Sequence, residues 1–208
     1  MIGRLKMGSF CGSALLLAAC IGGGGGTDTE TGGSVISGRI VSSDGNPAPG
    51  VRTLLLPSQF NPVAQCPIAD SLIDTTDAEG RYSFAVDSGT FNIEGFQSLT
   101  GTRLFLSGII ANRRDVRVST DTLKLPGKIR VNLDSVIASQ GGFLYLLGST
   151  VKKKFYKGED SIVIDSVPLA TYPEMHFAED GSCGSIVLYK NILVDTPESV
   201  FDPPDTVP

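Results

Sequence analysis

Apolar and polar residues alternate along short stretches of this chain, which is the pattern of strands with one buried face. Tyr82, Phe84 and Val86 are separated by Arg81, Ser83 and Ala85, and Val51, Thr53 and Leu55 share one face of an earlier segment. After the first 20 residues, no stretch of ten or more residues follows the 3.6-residue period of a helix. The pattern predicts an all-β chain.

Turn signals divide these strands into two groups. Asp44-Gly45-Asn46-Pro47 and Asp77-Ala78-Glu79-Gly80 predict tight turns in the first group. A boundary is expected near Leu125-Pro126-Gly127, where Leu123 and Leu125 end one sheet and Ile129, Val131 and Leu133 begin the next. We therefore expect one domain over residues 35–125 and a second over residues 126–195.

The first group also carries family motifs in order: SGRIV, DGNP, GVRTLL, TDAEGRYSF and GTF, between residues 37 and 91. Over residues 35–118 the chain resembles the carboxypeptidase regulatory-like domain. The resemblance implies a transthyretin-like (prealbumin-like) β-sandwich that has no catalytic groups of its own. The chain departs from the family in a long insertion at 57–74 and in Phe91, where Tyr is commoner.

The second group resembles a degenerate copy of the first. SIVIDSVPLATYPEMHF (161–177) is similar to SFAVDSGTFNIEGF (83–96), although Ala170 stands where the family prefers Gly. Beyond it, residues 196–208 are acidic and rich in proline, so they are expected to be disordered. The expected fold is two transthyretin-like sandwich units.

The N-terminus has the layout of a signal peptide. Arg4 and Lys6 precede an uncharged, largely apolar stretch, and Leu17-Ala18-Ala19-Cys20 resembles the bacterial lipobox. The resemblance implies removal of residues 1–19, a diacylglycerol on Cys20 and anchoring to membrane lipid. Ile21, in place of Asp, favours the outer membrane of the cell envelope. The Gly-rich residues 20–34 read as a flexible tether. A secreted protein with an unmodified cysteine is the alternative.

Charge and cysteine content limit the partners. The net charge is −5, and removal of residues 1–19 leaves −7. Nucleic acid is not expected as a partner, because binding it requires a basic face. Cys66 and Cys183 would lie in an oxidising compartment, where a disulfide is permitted. Their pairing and two free thiols, one of which joins chains into a dimer, both stay open.

Candidates for chemistry are few, and no cofactor, metal site or catalytic residue is predicted. His176 is the one histidine and sits in a strand pattern, which favours a structural or solvent-facing role. The acids Asp70, Asp74, Asp77 and Glu79 lack the spacing of a calcium loop and suit turns.

Two lysine features have alternative interpretations. Lys152, Lys153, Lys154 and Lys157 could meet polyanions, but lysines on an edge strand also prevent edge-to-edge pairing. The adhesin repeats related to this family form Lys–Asn isopeptide bonds beside an acid, and Lys128, Asn191 and Glu174 fit by order. Lys128 is nevertheless out of phase with Ile129 and Val131, so its side chain should face away from the core.

Together these features predict a lipid-anchored envelope protein with a non-catalytic binding or structural role. Its partner beyond the membrane would be an envelope protein or a glycan. One alternative is an accessory module that presents a peptide or glycan site to an enzyme. The other is a hydrolase, which a concave pocket joining His176 to acids would favour.

Overall fold

Strands make up nearly all the regular structure in the computed structural model, which describes residues 33–64, 68–181 and 184–202. The strands before residue 125 are β1 (Ser34–Val41), β2 (Arg52–Pro57), β3 (Ile73–Thr75), β4 (Arg81–Val86), β5 (Gly89–Gln97), β6 (Thr102–Ala111), β7 (Val116–Arg117) and β8 (Asp121–Thr122). Those after it are β9 (Gly127–Asn132), β10 (Gly142–Leu146), β11 (Lys152–Phe155), β12 (Ser161–Val167), β13 (Ala170–Glu179), β14 (Ile186–Val194) and β15 (Glu198–Phe201). The described helices are one 3₁₀ turn (Asp70–Leu72) and α1 (Ser135–Gln140).

The first half is a sandwich of two sheets. One sheet has the order β4-β1-β7, with β8 also paired to β1, and the other has the order β3-β2-β5-β6. Their facing sides enclose a core that includes Ile36, Leu55, Phe84 and Ile93. The alternation that predicted β4 is confirmed, because Tyr82, Phe84 and Val86 are buried in this core.

The second half repeats this arrangement for β1 to β7, and β8 has no counterpart among the described strands of the second half. Its sheets have the orders β12-β9-β15 and β11-β10-β13-β14. Strand β9 pairs antiparallel with β12 and parallel with β15, just as β1 pairs antiparallel with β4 and parallel with β7. A second core, which includes Ile129, Leu144, Tyr172 and Met175, lies between these sheets. Identical strand order in both halves is what an internal repeat produces.

This repeat explains a correction at the C-terminus. Disorder was expected from residue 196, but Glu198–Phe201 form β15, which pairs with Lys128–Val131 of β9. Strand β15 takes the place that β7 has in the first half, and its backbone groups complete the edge of the sheet. Residues 203–208 lie outside the described residues.

Two smaller features differ from the pattern-based expectation. Leu123 is buried as expected, but Leu125 is 71% exposed because the chain crosses there from one half to the other. The short helix α1 was not predicted. The Asp134 side chain caps it by accepting hydrogen bonds from the Val136 and Ile137 amides.

The insertion after β2 packs on the second half. Val63 contacts the buried cluster of Tyr145, Leu147 and Ala178, and the Lys152 ammonium donates to the Pro62 carbonyl at 2.6 Å. The described residues of the two halves accordingly belong to one compact unit.

Candidate functional site

The junction between the two sandwiches holds a buried carboxyl group. Glu94 of β5 is only 6% exposed and accepts a hydrogen bond from the Thr150 amide at 2.6 Å, and a second from the Thr150 hydroxyl. Burial raises the pKa of the Glu94 carboxyl, while the Thr150 hydrogen bonds and the charge of Arg103 act in the opposite direction. The acid of one half is therefore held by the loop after β10 of the other.

A second polar contact crosses the junction beside it. The Asn92 amide nitrogen donates to the Gly148 carbonyl at 2.9 Å, and the Asn92 side-chain oxygen accepts from the Gly108 amide at 3.1 Å. Gly148 has φ +76°, and a Cβ at this position would lie 2.3 Å from the Asn92 amide nitrogen. Glycine is required because a side chain would both strain the backbone and break this contact.

Aromatic packing completes the junction. Phe105 belongs to β6 but is buried in the core of the second half, where its ring stacks on Tyr172 at 4.6 Å between centroids. Arg103, two residues earlier, donates to the Ser166 carbonyl at 2.8 Å and lies over the Phe96 ring. The halves thus share core side chains as well as hydrogen bonds.

A small cleft of about 200 Å³ opens above Glu94. Arg52, Phe96, Arg103 and Thr150 are among its lining residues. The cleft combines two guanidinium groups and the Glu94 carboxyl with the Phe96 ring and the apolar side chains of Leu54 and Ile68.

His176 is part of a chain of hydrogen bonds on the outer side of the second half. Its Nε2 lies 2.8 Å from the Glu174 carboxylate, and its Nδ1 lies 3.1 Å from the Ser185 hydroxyl. Tyr145 stacks on the imidazole and donates to the Ser185 hydroxyl at 2.9 Å, while Asn61 donates to the Tyr145 hydroxyl at 3.1 Å. The His176 side chain is therefore buried and packed against Tyr145. Its two hydrogen-bond partners, a serine hydroxyl and a carboxylate, are also the residue types that nucleophilic catalysis uses.

The predicted site residues Cys20, Cys66 and Cys183 lie outside the described residues. The segments that flank the last two do meet. Tyr145 hydrogen-bonds to Asn61 on the Cys66 side and to Ser185 on the Cys183 side. The lipidation and the disulfide stay predictions.

The acidic cluster serves turns. Asp77 accepts from the Glu79 and Arg81 amides at 2.9 and 2.8 Å, and Asp74 accepts from the Ser83 amide at 2.8 Å. Within the described residues, no group of three or more His, Cys, Asp or Glu could hold a metal ion.

The lysines have separate partners. Lys154 pairs with Asp180 at 2.6 Å, and Lys128 pairs with Asp165 at 3.2 Å. Lys128 is exposed, as its phase in β9 predicted, and Asn191 is exposed as well, so their side chains do not meet in a core.

The sequence did not reveal the junction. Asn92 and Glu94 alternate with the core residue Ile93, a pattern typical of a solvent-facing side. They are buried only because the second half covers that face, and no local signal in the sequence indicates this.

Comparison with known proteins adds distant likenesses. No protein-family model and no curated protein matches the chain. Among solved structures, a streptococcal ancillary pilin is 15% identical at a TM-score of 0.30, covering 86% of this chain and 64% of its own. The shaft pilin of Lactobacillus rhamnosus is 12% identical at a TM-score of 0.30, covering 85% and 100%.

A leucine-rich repeat protein from Bacteroides thetaiotaomicron is 9% identical at a TM-score of 0.33, covering 83% of this chain and 26% of its own. This chain spans less than two thirds of the length of the streptococcal pilin and of the leucine-rich repeat protein. At these TM-scores the likenesses carry no argument about function.

In the part of the chain that the structure describes, no helix is both long and apolar enough to span a membrane.

Proposed function

We propose that this protein is a lipid-anchored component of the bacterial cell envelope with a non-catalytic binding or structural role. The observation that carries the role is the junction, in which Glu94, Asn92 and Phe105 of the first half are buried against the second. Two sandwiches joined in this way form one compact body suited to presenting a surface at a distance from a membrane.

The anchor in this proposal is Cys20, which carries a diacylglycerol after removal of residues 1–19. Support comes from the lipobox-like Leu17-Ala18-Ala19-Cys20 and the glycine-rich residues that follow it. Two or three acyl chains hold a protein stably on a bilayer, whereas one holds it only marginally. Ile21 favours the outer membrane. The first half is a divergent carboxypeptidase regulatory-like domain in this proposal, and the second half is its degenerate copy.

Metabolic labelling with palmitate tests the anchor. The wild-type chain should take up label and sediment with membranes, and Cys20→Ser should do neither. A matched Cys11→Ser variant, altered within the apolar stretch, should behave as wild type. Wild-type chain that takes up no palmitate would contradict the anchor.

A hydrolase is the second candidate, because the Ser185 hydroxyl, His176 and Glu174 form one hydrogen-bonded chain. A nucleophile, a base and a group that orients the base are the elements of nucleophilic catalysis. We rank it second because the His176 side chain is 11% exposed and lies against Tyr145.

A fluorophosphonate probe decides between the two candidates. The binding or structural role predicts no labelling of Ser185 in the full chain. Labelling that disappears in both Ser185→Ala and His176→Gln would establish the hydrolase instead.

A further inference from the structure

Three arginines project from the outer face of the sheet β4-β1-β7 around a groove of about 710 Å³. Tyr82 and Phe84 of β4 point into the core, so their neighbour Arg81 points outward. Arg81 lies directly opposite Arg39 of β1, and Arg117 of β7 lies beside Ser37 of the same strand. One sheet face therefore gathers three guanidinium groups from three strands.

This arrangement costs stability. Like charges directly opposite each other on neighbouring strands are destabilising. Among the described residues, the ion pairs involve other side chains, and none includes Arg39, Arg81 or Arg117. The whole chain carries a net charge of −5, so acids are plentiful elsewhere. Three arginines without an ion-pair partner at this one place, two of them on directly opposite positions of neighbouring strands, indicate a role outside folding.

The two carboxylates that line the groove have other partners. Asp77 accepts from the Glu79 and Arg81 amides, and Asp74 accepts from the Ser83 and Thr75 amides. The Arg39 Nε donates to the Glu79 carbonyl at 3.0 Å, which orients its guanidinium while leaving its terminal nitrogens for another acceptor. The guanidinium groups outnumber the carboxylates, so the groove has a local excess of positive charge.

We propose that this groove binds the carboxylate or sulfate groups of an anionic polysaccharide. The proposal deepens the binding role proposed above and rests on it. A guanidinium presents paired donors that match both kinds of oxyanion in a bidentate geometry. The hydroxyls of Ser37, Ser83 and Thr120 line the same groove and can hydrogen-bond to sugar hydroxyls.

The floor of the groove favours a polysaccharide over an acidic peptide. Strand β1 is paired with β4 on one side and with β7 and β8 on the other. Its backbone groups are therefore engaged and cannot pair with the backbone of an added strand, the usual way in which an extended peptide binds a sheet. The lining is also mainly polar, and its one aliphatic residue, Val118, packs partly against the first core.

Binding of the full chain, purified in detergent, to immobilised polymers tests this inference. The probes are polygalacturonate, dextran sulfate, polyglutamate and uncharged dextran, read by biolayer interferometry. We expect binding to polygalacturonate, dextran sulfate or both, and the better of the two identifies the preferred group. Affinity should fall when salt is raised from about 50 mM to about 300 mM, because exposed charges are then screened.

Matched variants locate the site. Arg39→Gln, Arg81→Gln and Arg117→Gln combined should weaken binding about tenfold or more, which corresponds to at least about 1.4 kcal/mol. Lys153→Gln, Lys157→Gln and Lys190→Gln combined remove the same charge from exposed positions of the second half and should keep the affinity. Arg81→Gln alone should weaken binding without lowering the melting temperature, since it removes a like-charge contact.

Three results would overturn the inference. The first is that neither anionic polysaccharide binds. The second is that both triple variants lose affinity equally. The third is that polyglutamate binds as tightly as the polysaccharides. Palmitate labelling of the same preparation keeps the two proposals separate. A labelled chain that binds no polysaccharide overturns only the ligand, and an unlabelled chain that binds one overturns only the anchor.

Discussion

Replacing Glu94 with Gln keeps the shape of the side chain and removes its charge. In the wild type, the Glu94 carboxyl accepts hydrogen bonds from the Thr150 amide at 2.6 Å and from the Thr150 hydroxyl. The Gln oxygen can accept the amide proton, and the Gln amide can donate to the hydroxyl oxygen. Glu94→Gln therefore isolates the effect of the charge on the free energy of unfolding.

The effect depends on pH in a defined direction. Burial raises the pKa of Glu94 above its ordinary value of 4.5. Between that value and the folded-state pKa, the folded chain holds a proton that the unfolded chain has lost. Stability from this group is therefore complete at low pH and is lost as pH rises through the folded-state pKa. Each unit of the shift corresponds to about 1.4 kcal/mol.

We expect Glu94→Gln to match the wild type near pH 4 and to become more stable than the wild type by pH 8. Glu94→Ala should instead cost about 1–3 kcal/mol at low pH, because the buried Thr150 amide loses its acceptor. Its deficit should shrink as pH rises, since the wild type then carries a buried charge.

Urea unfolding followed by far-UV circular dichroism measures both variants across this pH range. Glu179→Gln, which makes the same change at an exposed position of β13, is the matched control. If the gap between Glu94→Gln and wild type stays constant or narrows as pH rises, the reasoning about the buried carboxyl is wrong.

Three further predictions concern the joining of the halves. Cys66 and Cys183 should form a disulfide in the exported protein. In the chain-entropy model, closing a loop of about 100 residues stabilises the folded state by roughly 4.7 kcal/mol. Peptide mapping that finds both thiols alkylated without prior reduction would contradict this prediction. Gly148→Ala should lower the free energy of unfolding by about 2 kcal/mol or more, because the new Cβ would lie 2.3 Å from the Asn92 amide nitrogen at a left-handed backbone position. Gly45→Ala, also at positive φ but with open space around it, is the control that separates backbone strain from this clash in urea unfolding. Phe105→Ala should cost about 3–5 kcal/mol in urea unfolding, as for a core phenylalanine, and a cost below about 1 kcal/mol would show that the stacking on Tyr172 does not hold the halves together.

The alternation of apolar and polar residues predicted strands correctly where only one face of the strand is buried. In β4, the alternation of Tyr82, Phe84 and Val86 with polar neighbours determined both the strand and its inner face. In β2, Leu54 and Leu56 are buried together with Leu55, so alternation understated the burial of that strand. The reason is that a period of two registers one covered face, and β2 is covered on both.

The turns followed from local chemistry. Asp44 hydrogen-bonds with Ser42 and Asn46, contacts that lower its pKa, and Gly45 adopts φ +81°. Such contacts span a few residues, so the residue types alone predict them.

Strand β15 shows the opposite case. Its acidic, proline-rich composition predicted disorder, and only pairing with the distant β9 makes it a strand.

The sequence by itself therefore determined the all-β class, the main turns and the inner faces of one-sided strands, because these depend on neighbours along the chain. It also supplied the expectation of an anchor at Cys20, which rests on a short motif. Only the tertiary structure decided that Glu94 is buried, that His176 meets Ser185, and that Arg39 and Arg81 share one outer face with Arg117. Each of these contacts joins residues that are brought together by strand pairing or by the packing of the two halves, and the identity of a residue does not encode which distant segment will cover it.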